Sequence, residues 1–92
     1  MLKQFTLTQG KRKRDRFLII SAMLFTAGRG VGKSELMYRV GLSFSQAEAY
    51  LQVLLRSELL EVSICRRKFV YRTTEKGRDF LCVFDTLVSF LT

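Results

Sequence analysis

The chain has 92 residues, 48% hydrophobic and 26% charged, with sixteen Lys/Arg against eight Asp/Glu and a net charge of +8. That balance excludes a disordered chain and bounds the protein to one domain with its own core. Histidine is absent and the only cysteines are Cys65 and Cys82, which excludes histidine-dependent catalysis and a Cys/His zinc site. No catalytic residue, metal or cofactor is therefore expected.

The basic balance makes a polyanion the first partner to consider, either nucleic acid or an anionic membrane. The longest apolar runs, residues 17–25 and 80–91, are too short to span a bilayer, and Asp85 breaks the second. No small-residue cleavage site follows the first run. The expectation is a soluble, cytoplasmic protein without a membrane partner. The two thiols read as buried and unpaired, although one disulfide is compatible with the sequence.

Residues 1–10 have little pattern; Phe5 and Leu7 alternate with polar residues, which fits a flexible arm or a short strand. Lys11-Arg12-Lys13-Arg14-Asp15-Arg16 is a concentrated basic run. Residues 17–25 are apolar on every face, so strand and helix are both open. Length decides for helix, because residues 12–27 contain neither Gly nor Pro. A helix apolar all round must be covered on more than one side, by a partner subunit or by a central position in the fold.

Gly28-Arg29-Gly30-Val31-Gly32 breaks this pattern. From Lys33 a second helix follows, with Leu36, Met37 and Val40 at helical spacing. It stops at Gly41-Leu42-Ser43, and Ala47, Leu51, Leu54 and Leu55 mark a third. Gly41 suits the left-handed backbone that ends a helix. Ser43 is a natural N-cap, and Gln46 three residues on completes a capping box. Helix, tight turn and capped helix form a helix-turn-helix, a shape whose second helix reads DNA.

From Leu59 the period changes. Leu60, Val62 and Ile64 alternate with Glu61, Ser63 and Cys65, which predicts a strand. Arg66-Arg67-Lys68 makes a short basic turn, and Phe69-Val70-Tyr71-Arg72-Thr73 is a second strand. Without an Asn-Gly pair the turn type stays open. Thr74-Glu75-Lys76-Gly77 opens a last helix capped by Thr73 or Thr74 and carrying Phe80, Leu81, Val83, Phe84, Leu87, Val88, Phe90 and Leu91. The predicted fold is mainly α (α+β). Residues 11–73 form a winged helix-turn-helix of three helices and a two-stranded wing, and residues 74–92 add a C-terminal dimerisation helix.

Leu42-Ser43-Phe44-Ser45-Gln46-Ala47, then Leu51, Leu54-Leu55 and Leu59-Leu60-Glu61-Val62, resembles the recognition-helix signature of winged-helix regulators. Tyr71-Arg72-Thr73-Thr74-Glu75-Lys76-Gly77-Arg78-Asp79-Phe80-Leu81 is similar to the junction between wing and last helix in small archaeal winged helix-turn-helix DNA-binding proteins. The resemblance covers roughly residues 12–91. It implies a C-terminal helix that pairs with its mate as an antiparallel coiled coil. The chain departs from that family at Glu58, where the family has Gly between recognition helix and strand.

A competing motif lies at Ala27-Gly28-Arg29-Gly30-Val31-Gly32-Lys33-Ser34, a relaxed phosphate-loop pattern with Ala in place of the first Gly. That chemistry needs a strand before the loop and a helix after it, within a parallel sheet. A strand over residues 18–25 is conceivable. The chain beyond Ser34, however, contains no βαβ unit and no apolar strand ending in Asp to hold Mg²⁺. The loop reads as a Gly-rich connector, and no nucleotide is expected.

With Ala47, Leu51, Leu54 and Leu55 turned inward, the third helix shows Ser45, Gln46, Ala49, Gln52, Val53 and Arg56. Gln46 and Gln52 suit base edges, adenine above all, and Ala49 or Val53 suits a thymine methyl. Ser43 and Ser45 suit phosphates. The plainer alternative is that Ser43 and Gln46 only cap the helix and Gln52 is solvated. Charge for the phosphate backbone would come from Arg66, Arg67 and Lys68 in the wing, from Lys33 and Arg39 beside the helix-turn-helix, and from Lys11, Arg12, Lys13 and Arg14. Gly77, Phe80, Phe84, Leu87 and Leu91 are spaced as a heptad-like seam, with Val88 beside it. The expected dimer interface is Phe80, Phe84, Leu87, Val88 and Leu91; the alternative is a helix folded back on its own domain. The functional expectation is a homodimeric, sequence-preferring double-stranded DNA-binding regulator of transcription in the nucleoid. A non-specific architectural DNA-binding protein and a protein–protein interaction module are the alternatives.

Overall fold

The structure is a computed structural model that describes residues 15–91. The expected arm at residues 1–10 and the expected phosphate contacts Lys11, Arg12, Lys13 and Arg14 lie outside the described residues. The elements are α1 (Arg16–Thr26), α2 (Lys33–Val40), α3 (Phe44–Arg56), β1 (Leu60–Cys65), β2 (Lys68–Thr73) and α4 (Glu75–Ser89). This is the expected order, a mainly helical winged helix-turn-helix with an added helix.

Helix α1 starts later than the uninterrupted run of residues 12–27 predicted. Asp15 stands in extended backbone as N-cap, and its carboxylate accepts the Phe17 N–H at 2.9 Å. A local acceptor for an orphan helix donor fixes the boundary better than apolar continuity does. Three elements cover part of the helix, and the rest of its surface is bare. Ile19, Met23 and Leu24 are buried, whereas Phe17, Leu18 and Phe25 face solvent. Its packing partners are α2, α4 and β2.

The turn between α2 and α3 forms as its residues dictate. Gly41 has φ +82° and its N–H donates to the Met37 carbonyl at 2.8 Å; Leu42 N–H donates to the same carbonyl at 2.9 Å. Ser43 Oγ accepts the Gln46 N–H at 3.2 Å, and Gln46 Oε1 accepts the Ser43 N–H at 3.0 Å, closing the capping box. Leu36 and Val40 of α2, Leu42 of the turn, and Ala47, Leu51 and Leu54 of α3 then converge with Met23, Leu24 and Leu60 in one core. Met37 and Leu55, expected inside, are partly buried against it.

Strands β1 and β2 pair antiparallel from Leu60↔Thr73 to Cys65↔Lys68. The turn is therefore Arg66-Arg67 alone, and Lys68 belongs to the strand rather than to the three-residue turn expected. Thr73 is buried at the wing base; its hydroxyl donates to the Leu24 carbonyl of α1 at 2.6 Å. Both cysteines are free and exposed, which corrects the expectation of buried thiols. Cys65 alternates with the apolar residues of β1, so it lies on the face turned away from them, and Cys82 lies off the packed side of α4.

The step from wing to α4 shows why the Thr-Glu-Lys-Gly sequence stands there. Thr74 is the N-cap: its Oγ1 accepts the Gly77 N–H at 3.0 Å and donates to the Glu58 carbonyl at 2.7 Å. Lys76 Nζ donates to the Ser57 carbonyl at 2.9 Å, and Thr74 N–H to Leu59 O at 3.1 Å. The otherwise orphaned carbonyls at the end of α3 are thus met by the first turn of α4. Glu58 itself has φ +63°, the left-handed conformation that glycine adopts more readily. Gly77 is buried against Leu59 within the subunit and so is not part of an exposed seam. Helix α4 ends at Ser89, with Phe90 as C-cap, so Leu91 lies just beyond it.

Candidate nucleic-acid interface

Helix α3 is amphipathic in the sense required of a reading helix. Ala47, Leu51 and Leu54 are buried, while Ser43, Ser45, Gln46, Ala49, Gln52, Val53 and Arg56 are all exposed. The sequence thus placed the outer face correctly, but the residues on it are not equally free. Gln46 already uses Oε1 in the capping box, leaving its amide N–H groups as the unused donors. A bidentate contact to adenine needs the same oxygen as an acceptor, so it would share or break the cap. Gln52, Ala49 and Ser45 carry no such constraint.

Two exposed aromatic residues are absent from the contact set expected from the sequence. Phe44 opens α3 and is 62% exposed; Tyr38 on α2 is 85% exposed. Tyr38 lies off the apolar stripe of α2, whereas Phe44 continues the stripe of Ala47, Leu51 and Leu54 to the first residue of α3, where it is left uncovered. Phe44 also explains Lys33. The Lys33 ammonium pairs with the Glu48 carboxylate and lies over the Phe44 ring, 4.0 Å from its centroid. Lys33 thereby ties the start of α2 to α3, its charge balanced by Glu48 and its ammonium stacked on an aromatic face. Arg39 makes a half-exposed i, i+4 pair with Glu35 at 3.3 Å, a weak interaction that leaves its guanidinium available to other anions.

Arg66 and Arg67 occupy the two-residue tip of the wing with φ +52° and +68°. Two successive left-handed residues define a type I′ turn, which matches the twist of the strands but normally takes Asn-Gly. Each L-residue with a Cβ there costs roughly 1–2 kcal/mol. The wing thus places two cations at its tip in a conformation that their side chains do not favour. Beside them, Lys68 is exposed, and Arg72 on the same strand donates to the Arg29 carbonyl at 3.3 Å.

The Gly-rich loop is occupied structurally. Residues 18–25 are helix, so the strand that a phosphate loop requires is absent. Val31 pairs with Tyr71 through both backbone bonds, at 2.9 and 2.8 Å, and so extends the wing sheet. Gly30 has φ +98°, and a Cβ there would come within 2.8 Å of Arg72 Nη2 and 3.1 Å of Val70 Cγ1. The glycine serves close packing against β2. Among the described residues, no group of His, Cys, Asp and Glu is placed to hold a metal ion. No helix among them is long and apolar enough to cross a membrane.

On another side, α1 and α4 enclose an apolar groove lined by Phe17, Leu18, Phe80, Phe84, Leu87 and Val88 among others. Phe17 stacks on Phe80 and Phe80 on Phe84, each pair at 6.4 Å between centroids. Phe80 and Phe84 are half-buried by their own domain, whereas Leu87 and Leu91 are 57% and 86% exposed. The first half of the C-terminal helix thus packs along α1, and the same apolar stripe runs on uncovered through its second half to Leu91.

A winged helix-turn-helix family matches residues 13–90 of the chain. No curated protein matches it. Among solved structures the fold is similar to that of Sso10a-2, a DNA-binding protein from Sulfolobus solfataricus, at a TM-score of 0.77 and 21% identity. The superposition covers 84% of this chain and 81% of that one.

Proposed function

The chain belongs to the winged helix-turn-helix family, and from that premise we propose that it binds double-stranded DNA as a homodimer and regulates transcription in the nucleoid. The observation that carries the reading is the exposed face of α3: Ser45, Ala49, Gln52 and Val53 offer hydrogen-bonding and methyl contacts sized for major-groove edges. Arg56 ends that helix, and the other cations of the proposed contact set lie off it, at Arg39 in α2 and at Arg66, Arg67 and Lys68 in the wing. Phosphate contacts therefore supply affinity and α3 supplies preference. Similarity to a DNA-binding protein of the same fold supports this assignment. No catalytic role is assigned.

The dimer rests on the groove between α1 and α4. An apolar surface continuous from Phe17 to Leu91 is larger than one subunit covers, and a two-fold mate presenting the same surface would close it. Two recognition helices would then meet repeated half-sites.

One observation favours a second reading. Of the seven expected contact residues on α3 and its cap, only Arg56 is charged, so most of the contact-set cations lie off the reading face, where they would meet phosphates whatever the sequence; that supports non-specific architectural binding as the alternative. A salt-titrated gel shift with random and selected duplexes separates the readings. Preference for selected duplexes supports regulation, and equal affinity for all duplexes supports architecture. No binding at low salt would overturn both and leave a protein–protein interaction module.

A further inference from the structure

We propose that the wing acts as an apolar wedge, with Ile64 and Phe69 entering the DNA minor groove and unstacking a base step. The inference rests on the DNA-binding reading and adds a way in which the DNA is deformed. Directly opposed residues of the hairpin share a face, so Leu60/Thr73, Val62/Tyr71 and Ile64/Phe69 form one stripe. Its inner end is core: Leu60 is 2% and Thr73 1% exposed. Its outer end is bare: Ile64 is 70% and Phe69 60% exposed. A hairpin that only presented cations would be expected to carry polar residues there, as solvated sheet faces do.

Charge selects the occupant. Arg66, Arg67 and Lys68 immediately adjoin the Ile64/Phe69 pair, and the two arginines hold a turn that glycine and asparagine would form more easily. A second copy docking here about a two-fold axis would bring two such clusters together, at a repulsive cost. A polyanion with a hydrophobic interior meets both properties, and that description fits the stacked bases of a duplex reached through the minor groove. Aliphatic and phenyl side chains flanked by Arg and Lys are the chemistry of wedges that kink DNA, most easily at flexible pyrimidine–purine steps.

The test uses the full chain and closed circular plasmid relaxed by a topoisomerase in its presence. Unstacking unwinds the duplex and leaves a linking-number change after the protein is removed. The comparison is the doubly substituted Ile64→Thr/Phe69→Thr chain, which keeps strand-forming residues and every cation. The wild type is expected to shift the linking number. The double variant loses that shift and binds roughly five- to tenfold more weakly with an unchanged salt slope. Phe69→Thr alone, at an exposed position, gives an intermediate loss. Binding by the wild type without a linking-number change would overturn the wedge while leaving the DNA-binding reading standing. So would a double variant that still shifts the linking number, and a changed association state by light scattering would then assign the face to protein contact. Absence of wild-type binding in low salt would remove the DNA-binding reading and the wedge with it.

Discussion

Gly77 sits so close to the carbonyl of Leu59 that no Cβ fits between them; a Cβ would also lie 2.6 Å from Thr73 Cγ2. The end of α3, the base of the wing and the start of α4 meet at this contact, beside the hydrogen bonds from Thr74 and Lys76 to the carbonyls of residues 57–59. Neither the Leu59 carbonyl, which accepts the Thr74 N–H, nor the Thr73 side chain, whose hydroxyl is bonded to Leu24 O, is free to move. Gly77→Ala is therefore expected to destabilise the fold by about 2–3 kcal/mol despite alanine's better helix propensity. Urea unfolding at fixed protein concentration measures it. An unchanged midpoint would mean that the junction relaxes freely.

Glu58, nearby, is expected to show the opposite sign. It holds φ +63° and its side chain is exposed, so Glu58→Gly removes a left-handed penalty and loses no packing. The gain is reduced by the greater freedom of glycine in the unfolded chain. A net stabilisation of about 0.5–1 kcal/mol is expected, measurable as a shift in thermal midpoint.

These two positions also show how far the sequence could be read. Gly41, Ser43 with Gln46, and Thr74 act through neighbours within a few residues, and each forms the cap that its residue type predicts. Glu58 was recognisable as a departure only because a family resemblance supplied the expected glycine. Gly77 was legible as part of a spacing but not as a close contact, since a heptad seam and an intramolecular approach leave the same pattern. The Val31–Tyr71 bridge and the Arg66-Arg67 type I′ turn are set by strand register across the chain, which local propensity does not encode. Cys65 and Cys82 were misplaced because cysteine is most often buried; at Cys65 the face of the hairpin overrides that tendency.

The wing turn separates stability from binding. Replacing Arg66-Arg67 by Asn-Gly gives the type I′ turn residues that adopt it without strain, so the hairpin should be stabilised by about 1 kcal/mol. If the arginines contact phosphates, the same change lowers the slope of log affinity against log salt by about 2 and weakens binding to all duplexes alike. Denaturation and salt-titrated binding on one variant give both numbers. A more stable chain with an unchanged salt slope would exclude the tip from the phosphate footprint.

Gln46 and Gln52 are distinguishable by the same logic. Gln46→Ala removes half of the capping box and should cost about 0.5–1 kcal/mol of stability. Gln52→Ala, at an exposed position outside the capping box, leaves stability within about 0.5 kcal/mol. If Gln52 reads a base, its loss relaxes preference at one position of the selected site by about 1–3 kcal/mol and leaves binding to random duplexes unchanged. Binding measured across single-base variants of that site decides. A uniform loss over all of them would make Gln52 a positioning residue.

The α1–α4 groove predicts association. Leu87 is 57% exposed in the single subunit, so a charge there costs the isolated fold little. In a dimer closed across this groove, the same Leu87→Asp change buries a carboxylate against Val88 and its neighbours, with no described cation lining the groove to offset it. Light scattering at micromolar concentration should give a dimer for the wild type and a folded monomer for the variant. The variant's apparent affinity for a two-half-site duplex should fall well over tenfold, because paired recognition helices no longer bind as a linked unit. Affinity for a single half-site should change little. A variant that remains dimeric would place the interface elsewhere, and a monomeric wild type would require the bare end of the α4 stripe to be explained without a second copy.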